Sequence, residues 1–447
     1  MTRVFIYEFV TGGGWHSVTP PHDDGEASSL PPESLPPESL PPELLPPESL
    51  RREGRAMWEA VVRDFADLPG IQVVTLVDAR WTADRTAFAD SKNVALRLVH
   101  SAVEERQLVE AVAAAADWTL LIAPEFDDLL RARAEWCELA GGRLLGSSPA
   151  LIALCGDKQA TAELLRAAGI ATPPGVLLTA ADAQLAEPPE TLFPAVLKPN
   201  DGAGSQDIQW IANRREFERF WGERSAARDS NRAIGPIRAA HARSPSDAVA
   251  HPSEAAAPAA EQPDVTSACK PSWRLERFCP GHAASVAFLC GPTQQVSLAP
   301  CWQRLSGDGH FHYLGGAAPL PPDLAARATS VARRAIEALP QPRGYLGVDL
   351  VLGDDPHGGA DFVIEINPRL TTSYVGLRAL AETNLARAML GATQHEPVAV
   401  TFRTARVQFD ACGVSTLSLA QSETLSTPSE PGLEPCPGWH STSAAQT

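Results

Sequence analysis

Tyr345-Leu346-Gly347-Val348-Asp349-Leu350-Val351-Leu352 and Asp361-Phe362-Val363-Ile364-Glu365-Ile366-Asn367-Pro368-Arg369 are two apolar-rich runs separated by the turn-forming segment Gly353 to Ala360. That arrangement predicts a hairpin with a longer loop. Side chains alternate across a strand, so Leu346, Val348, Leu350 and Leu352 share one face, and Phe362, Ile364 and Ile366 are expected on the matching face of the partner. The opposite face carries Asp349 from one strand and Glu365 with Asn367 from the other, the latter two roughly 7 Å apart at Cα. Most acids on a strand face only keep it solvated. Two carboxylates and an amide oxygen converging on one face, however, form a hard-oxygen cage suited to Mg²⁺, with Mn²⁺ an alternative ion, and such a cage completes its shell with phosphate oxygens. Pro368-Arg369 ends the strand and sets a guanidinium beside the cage, where it can bind phosphate.

Upstream, Val196-Leu197-Lys198-Pro199 reads as a short strand ending in a cation, and Asn200-Asp201-Gly202-Ala203-Gly204-Ser205 follows as a small-residue loop whose backbone N–H groups can close over phosphates. Lys158 stands at the start of the expected helix Asp157 to Ala168, so two lysines can meet phosphates from separate elements. Leu275-Glu276-Arg277-Phe278-Cys279-Pro280-Gly281 places an acid and an aromatic ahead of a turn, a hinge on which adenine can sit. The strand Ser285 to Leu289 comes next.

Nearer the N-terminus, Val4-Phe5-Ile6-Tyr7 predicts a buried strand and Thr11-Gly12-Gly13-Gly14 a backbone-permissive loop. From Pro31 to Leu50 the unit PPESL recurs four times (once as PPELL), too rich in Pro for helix or sheet, and an extended insertion is expected. A helical pattern opens at Gly54-Arg55-Ala56-Met57-Trp58. Strands at Val73 to Val77 and Thr119 to Ala123, with a helix from Glu104 to Ala116 between them, predict a doubly wound parallel sheet. Composition collapses to Ala, Ser, Pro, Arg and His between Ser225 and Pro271, which predicts a second disordered insertion. The expected organisation is an N-terminal α/β domain over 1–149 with an insertion at 17–52, two α+β subdomains over 150–284 (insertion 225–271) and 285–411, and a disordered tail over 412–447.

The 447 residues carry 54 acids against 37 bases, a net charge of −17. Seven of the acids (Asp23, Asp24, Glu26, Glu33, Glu38, Glu43, Glu48) fall between Phe9 and Leu50, where there is no Lys or Arg, leaving −10 for the rest. That balance argues against nucleic-acid binding. No apolar run approaches membrane-spanning length and no signal peptide is legible, so a soluble, cytoplasmic protein without a membrane partner is expected. The eight Cys (137, 155, 269, 279, 290, 301, 412, 436) form no C-x-x-C pair, which fits reduced thiols. P-loop, zincin and serine-hydrolase motifs are absent, and the pair His310 and His312 lacks a third clustered ligand.

The ordered set of Lys158, Lys198 with its Gly-rich loop, Glu276, Asp349 and Glu365-Ile366-Asn367-Pro368-Arg369 resembles the ATP-grasp ligases over about Ala150 to Asp410. The resemblance implies two α+β subdomains gripping ATP. In family terms, Lys158 and Lys198 contact the phosphates, and Gly202 to Ser205, with Gly204 between, form the lid. Glu276 and the backbone at Phe278 meet the adenine, Asp349, Glu365 and Asn367 hold Mg²⁺, and Arg369 steadies the phosphoryl group. Many relatives carry a ribose-binding Glu after the hinge, where this chain offers His282. Phe5 to Phe9, Thr11 to Gly14, Glu53-Gly54-Arg55-Ala56-Met57 and Tyr313-Leu314-Gly315-Gly316 look like the branch that includes tyramine–glutamate ligase of methanofuran-type cofactor synthesis. That branch implies γ-glutamyl amide formation from a small carboxylate, glutamate, and an amine, tyramine, through an acyl phosphate. Other readings are a dipeptide or D-amino-acid ligase, or an ATP-binding sensor without turnover; a homo-oligomer is compatible with all of them. The amine must be neutral to attack, and Glu8, Ser373 and Tyr374 are candidates for its base.

Overall fold

The computed structural model describes residues 1–18, 45–179, 188–202, 207–230 and 272–419. β1 (Thr2–Glu8), β2 (Ile71–Asp78), β3 (Val94–Val99) and β4 (Trp118–Ile122) form a parallel sheet in the order β3-β2-β1-β4. Crossovers run through α1 (Glu48–Ala66), the short α2 (Thr82–Thr86) and α3 (Ala102–Ala115), and α4 (Leu129–Leu139) follows β4. Parallel strands need such crossovers, and their apolar runs reflect burial on both faces. Val4 and Ile6 share a core with Trp58, Val61 and Phe65 of α1, while Phe5 and Tyr7 share another with Val109, Leu130 and Ala134. The edge strand β3, only partly buried, carries too weak an apolar signal to be anticipated.

α1 starts at Glu48, inside the fourth PPESL unit and ahead of Gly54, which corrects the extended reading of that unit and the insertion bound at residue 52. Pro47 caps the helix, and Glu48 in its first turn complements the helix dipole and reaches Arg52 at 2.7 Å. At the other bound, Ser17 ends a 3-10 turn over Gly14–Ser17. The remaining repeats lie outside the described residues.

α5 (Pro149–Gly156) and α6 (Lys158–Ala167) lead into a second sheet made of β5 (Gly175–Leu178), β6 (Ala195–Pro199), β7 (Gln209–Ile211) and β8 (Trp273–Arg277). Its order is β5-β8-β6-β7, and every pairing is antiparallel. Leu197, Ile211 and Leu275 pack one face against Phe217 and Trp221 of α7 (Arg214–Ser230) in a core of their own. The helix continues past Ser225, where the insertion was expected to begin, and 231–271 lie outside the described residues.

The third sheet is larger. It contains β9 (His282–Cys290), β10 (Gln295–Ser297), β11 (Cys301–Leu305), β12 (Tyr313–Ala318), β13 (Gly344–Leu352), β14 (Phe362–Asn367), β15 (Ala405–Asp410) and β16 (Ser415–Leu419). The order is β14-β13-β9-β11-β12-β15-β16, with β10 pairing on β9. β16 lies beyond Cys412, so the first residues of the expected disordered tail are a strand, paired from Ala405↔Leu419 to Phe409↔Ser415. Helices α8 (Pro322–Ala338), α9 (Ser373–Leu380) and α10 (Leu385–Thr393) cover the sheet.

The hairpin β13–β14 differs from the expected register. Val348 opposes Ile366 and Asp349 opposes Glu365, but Leu350 opposes Val363, leaving Ile364 as the extra residue of a bulge. Val363 and Ile366 therefore join Leu346, Val348, Leu350 and Leu352 in the core, while Phe362 and Ile364 stay partly exposed. The bulge sits beside the acids and leaves Asp349, Glu365 and Asn367 on one face.

Candidate active site

Two sheets turn charged faces toward one cleft. In the second sheet, alternation sends Leu197 and Leu275 into the core and Lys198, Arg274 and Glu276 to the other side. Lys198 Nζ lies 2.5 Å from Glu276 Oε1, and Arg274 Nε donates to Glu276 Oε2 at 2.9 Å; all three are buried. Arg274 is fixed in turn by the Pro173 carbonyl at 3.0 Å and by Gln159. These residues form a preset charged floor rather than independent side chains.

Lys158 enters from the first turn of α6, whose N-cap Asp157 accepts from Ala160 N. The Lys158 amide donates to Asn200 O at 3.0 Å, and Gln159 N donates to Asn200 Oδ1 at 3.0 Å, tying α6 to the loop after β6. Its ammonium donates to the Gly202 carbonyl and lies 3.4 Å from Glu365 Oε2. Lys158 thus bridges the loop after β6 and the acid face. Gly204 and Ser205 lie outside the described residues.

On the third sheet Asp349 accepts from Gln303 Nε2 at 2.8 Å and from Asn367 Nδ2 at 3.0 Å. Burial, then the facing Glu365 carboxylate, pushes Asp349 up to about 7. Glu365 moves the other way: burial opposes its charge, but Lys158, Lys198 and Arg369 outweigh it and hold it below the usual carboxylate range. Among the described residues no set of three His, Cys, Asp or Glu side chains is grouped for a metal. What the cleft holds is two carboxylates and an amide, the oxygen donor set that Mg²⁺ accepts when phosphates fill the rest of its shell. A divalent cation fits here because its charge would offset both the burial and the facing carboxylate that raise Asp349.

Arg369 leaves the strand end and pairs with Glu125: Nη2 donates to Oε2 at 3.0 Å, while Nε lies 2.9 Å from Oε1 without a hydrogen bond between them. Glu125 follows β4 at the carboxyl end of the parallel sheet, beside the point where strand order reverses, the usual place for a ligand crevice in such sheets. Glu53, from α1, accepts from Thr372 Oγ1 at 3.1 Å, and burial pushes it up to about 7 against the pull of Arg369.

The hinge is more constrained than expected. The Phe278 amide donates to Pro194 O at 2.8 Å, so what Phe278 can offer a base is its carbonyl and its ring, which stacks on Phe311 at 6.2 Å. His282 opens β9, exposed, edge-on to Trp302 at 5.5 Å. Of the three base candidates, Tyr374 donates to Asp64 Oδ2 at 2.6 Å deep in the core, and Ser373 belongs to a hydroxyl cluster with Tyr345 and Thr371. Glu8 is buried and accepts the amides of Val10 and Thr11 at 3.2 and 2.7 Å. All three are committed to local structure. His310 and His312 stack on each other in the β11–β12 loop, and His310 Nδ1 lies 3.0 Å from Ile208 O.

Sequence reasoning missed Glu125, Arg274 and Gln303, and it singled out the Glu53 segment without giving Glu53 a role. Arg274 was open to discovery, since period two puts it on the face of Glu276, and Glu125 was flagged by its place after a parallel strand. Gln303 carries no comparable local signal.

A lysine pair from two elements, an acid–amide face across the cleft and a parallel-sheet domain in front define an ATP-grasp fold. Residues 249–373 match an ATP-grasp domain and residues 71–152 a pre ATP-grasp 3 domain. An ATP-grasp superfamily protein from Archaeoglobus fulgidus is 19% identical, with a TM-score of 0.55 over 91% of this chain and 92% of that one. The L-amino acid ligase from Bacillus licheniformis is 15% identical, with a TM-score of 0.57 over 91% of this chain and 80% of that one. The tyramine–L-glutamate ligase of Methanocaldococcus fervens is 27% identical over 135 residues, 30% of this chain and 42% of that ligase. The chain therefore carries a match to an ATP-grasp domain and resembles that ligase branch. No helix among the described residues is long and apolar enough to cross a membrane.

Proposed function

We infer that this protein is an ATP-dependent carboxylate–amine ligase that joins the γ-carboxyl of glutamate to an amine such as tyramine, releasing ADP and phosphate. The observation that carries the reading is Lys158 reaching across the cleft to Glu365, with Lys198 on the facing sheet and Arg369 beside them. Three cations and an oxygen-donor face around one point are suited to a triphosphate and have little use otherwise.

Lys158 and Lys198 would neutralise phosphate oxygens, and Lys198 would let go of Glu276 in part as it does so. Asp349, Glu365 and Asn367 would hold Mg²⁺, which when bound supplies charge neutralisation of the transferring phosphoryl group. Arg369, aimed by Glu125, would steady the phosphoryl group on the substrate carboxylate. Catalysis here is positioning and electrostatics, because the protein contributes no covalent chemistry. The acyl phosphate then meets the amine, and phosphate leaves as the C–N bond forms. The tyramine–glutamate choice is supported by the relative named above together with the Glu53 and Tyr313 segments.

The test is ADP release by the purified chain with ATP and Mg²⁺, given glutamate, tyramine, neither or both, with mass detection of the condensed product. Release dependent on both, with a γ-glutamyl amide of matching mass, is expected. Condensation of other acid–amine pairs but not this one would remove the substrate assignment and keep the ligase class. ATP binding without turnover on any pair would remove both.

A further inference from the structure

The ligase reading leaves the proton of the incoming amine unassigned, and the inference here rests on that reading. Two segments singled out in the sequence, Glu53-Gly54-Arg55-Ala56-Met57 and Tyr313-Leu314-Gly315-Gly316, stand far apart along the chain. Within each, packing accounts for most residues. A Cβ on Gly54 would lie 2.4 Å from Glu8 Oε1, Arg55 pairs with Asp84, and Ala56 and Met57 are in the core. Gly315 has a φ of +129°, and a Cβ there would lie 2.2 Å from Phe409 O; on Gly316 it would lie 2.5 Å from Trp302 O. Tyr313 packs against the core shared by the first domain and the large sheet, and Glu53 is left without such an explanation.

Glu53 is held by one hydroxyl, Thr372, at the N-terminus of α9. The cation facing it is Arg369, whose guanidinium is already paired with Glu125 and donates to the Leu370 carbonyl. The lysines face Glu365 instead. An acid therefore stands near the phosphoryl-handling arginine, and among the described residues it forms no ion pair. An ammonium group supplies what that acid lacks.

We propose that Glu53 binds the incoming amine in its ammonium form and accepts its proton, with Thr372 positioning the carboxylate. One N–H proton passes to the Glu53 carboxylate. The freed lone pair forms the C–N bond to the acyl carbon, the C–O bond to phosphate breaks, and the nitrogen sheds its second proton to the departing phosphate. Burial of Glu53 suits it to this task, since an acid raised to about 7 is poised for proton transfer at neutral pH.

The experiment separates activation from amine attack. Hydroxylamine is neutral at neutral pH and traps an acyl phosphate without a base. In Glu53→Gln, glutamyl hydroxamate formation should fall by less than about three-fold while amide formation with tyramine falls by roughly 100-fold or more. The wild-type amide rate should rise with pH up to about 7, as Glu53 ionises, and then level; the Gln variant should lose that limb and Glu53→Asp should recover part of the rate. Equal loss of hydroxamate and amide, or no loss of either, overturns the assignment and leaves Glu53 as a tether between α1 and α9. A wild-type protein that makes neither product overturns the ligase reading instead.

Discussion

Asp349 and Glu365 oppose each other directly across β13 and β14, and the metal-free protein bears the cost of two carboxylates on one face. Asp349→Asn removes the repulsion while keeping the shape. Without divalent ions its thermal midpoint should rise by about 2 °C, as expected for roughly 1 kcal/mol. The further rise that Mg²⁺ with ATP gives the wild type should vanish, and ADP formation with it; scanning calorimetry with and without both reads this out. A lowered midpoint would mean that Gln303 and Asn367 need the charge more than Glu365 resents it. The acid face itself was legible, because strand period two depends only on the spacing of Asp349, Glu365 and Asn367. Which neighbours filled the core was not: Val363 and Ile364 are both apolar and β-branched, so the sequence does not say which is bulged out. Glu53 was hidden for a different reason, since its contact with Thr372 spans 319 residues and exists only once α1 docks on α9.

Helix α1 shows how an element can be right in kind and still differ at its boundary. Its apolar positions Met57, Ala60, Val61 and Phe65 mark one buried stripe, which was readable, whereas its start at Glu48 is masked by the Pro of the repeat, a residue that both ends linkers and begins helices. Two glycines in helices should respond oppositely to alanine. Gly222 in α7 has open space around its Cβ position, so Gly222→Ala should stabilise by about 0.5–1 kcal/mol through helix propensity and lost unfolded-state entropy. Gly54 in α1 abuts the Glu8 carboxylate, itself pinned by the Val10 and Thr11 amides, so Gly54→Ala must push α1 off the sheet. Its expected cost is about 1–3 kcal/mol of overpacking, which exceeds the propensity gain. Urea midpoints for the two variants should therefore move in opposite directions; a stabilised Gly54→Ala would mean that Glu8 has room to swing away.

Across the whole molecule, the parallel-sheet domain and the large antiparallel sheet share one core, in which Trp58 and Phe65 of α1 lie with Leu385 and Met389 of α10 and Phe409 of β15. The second sheet keeps a core of its own. Glu125 and Glu53 belong to the first domain and meet Arg369 and Thr372 of the third sheet's side, so the site depends on that shared core being in register. Asp64 is the polar lock within it. It accepts from Tyr374 at 2.6 Å and from Arg378 at 2.9 and 2.6 Å, while its backbone carbonyl accepts from Asn384 at 2.9 Å. Asp64→Ala strands a buried hydroxyl and a guanidinium at once, and breaking such a pair typically costs about 3–5 kcal/mol. Because the lock lies on the same helix as Glu53, the loss should also appear as weaker coupling of the first domain to Arg369. Unfolding of Asp64→Ala should begin at lower urea, and hydrogen exchange should rise in α1 and α9 together while the second sheet, Leu197 and Leu275 included, keeps its protection. Uniform deprotection of all three sheets would show instead that the chain unfolds as one unit and that Asp64 contributes to global stability alone.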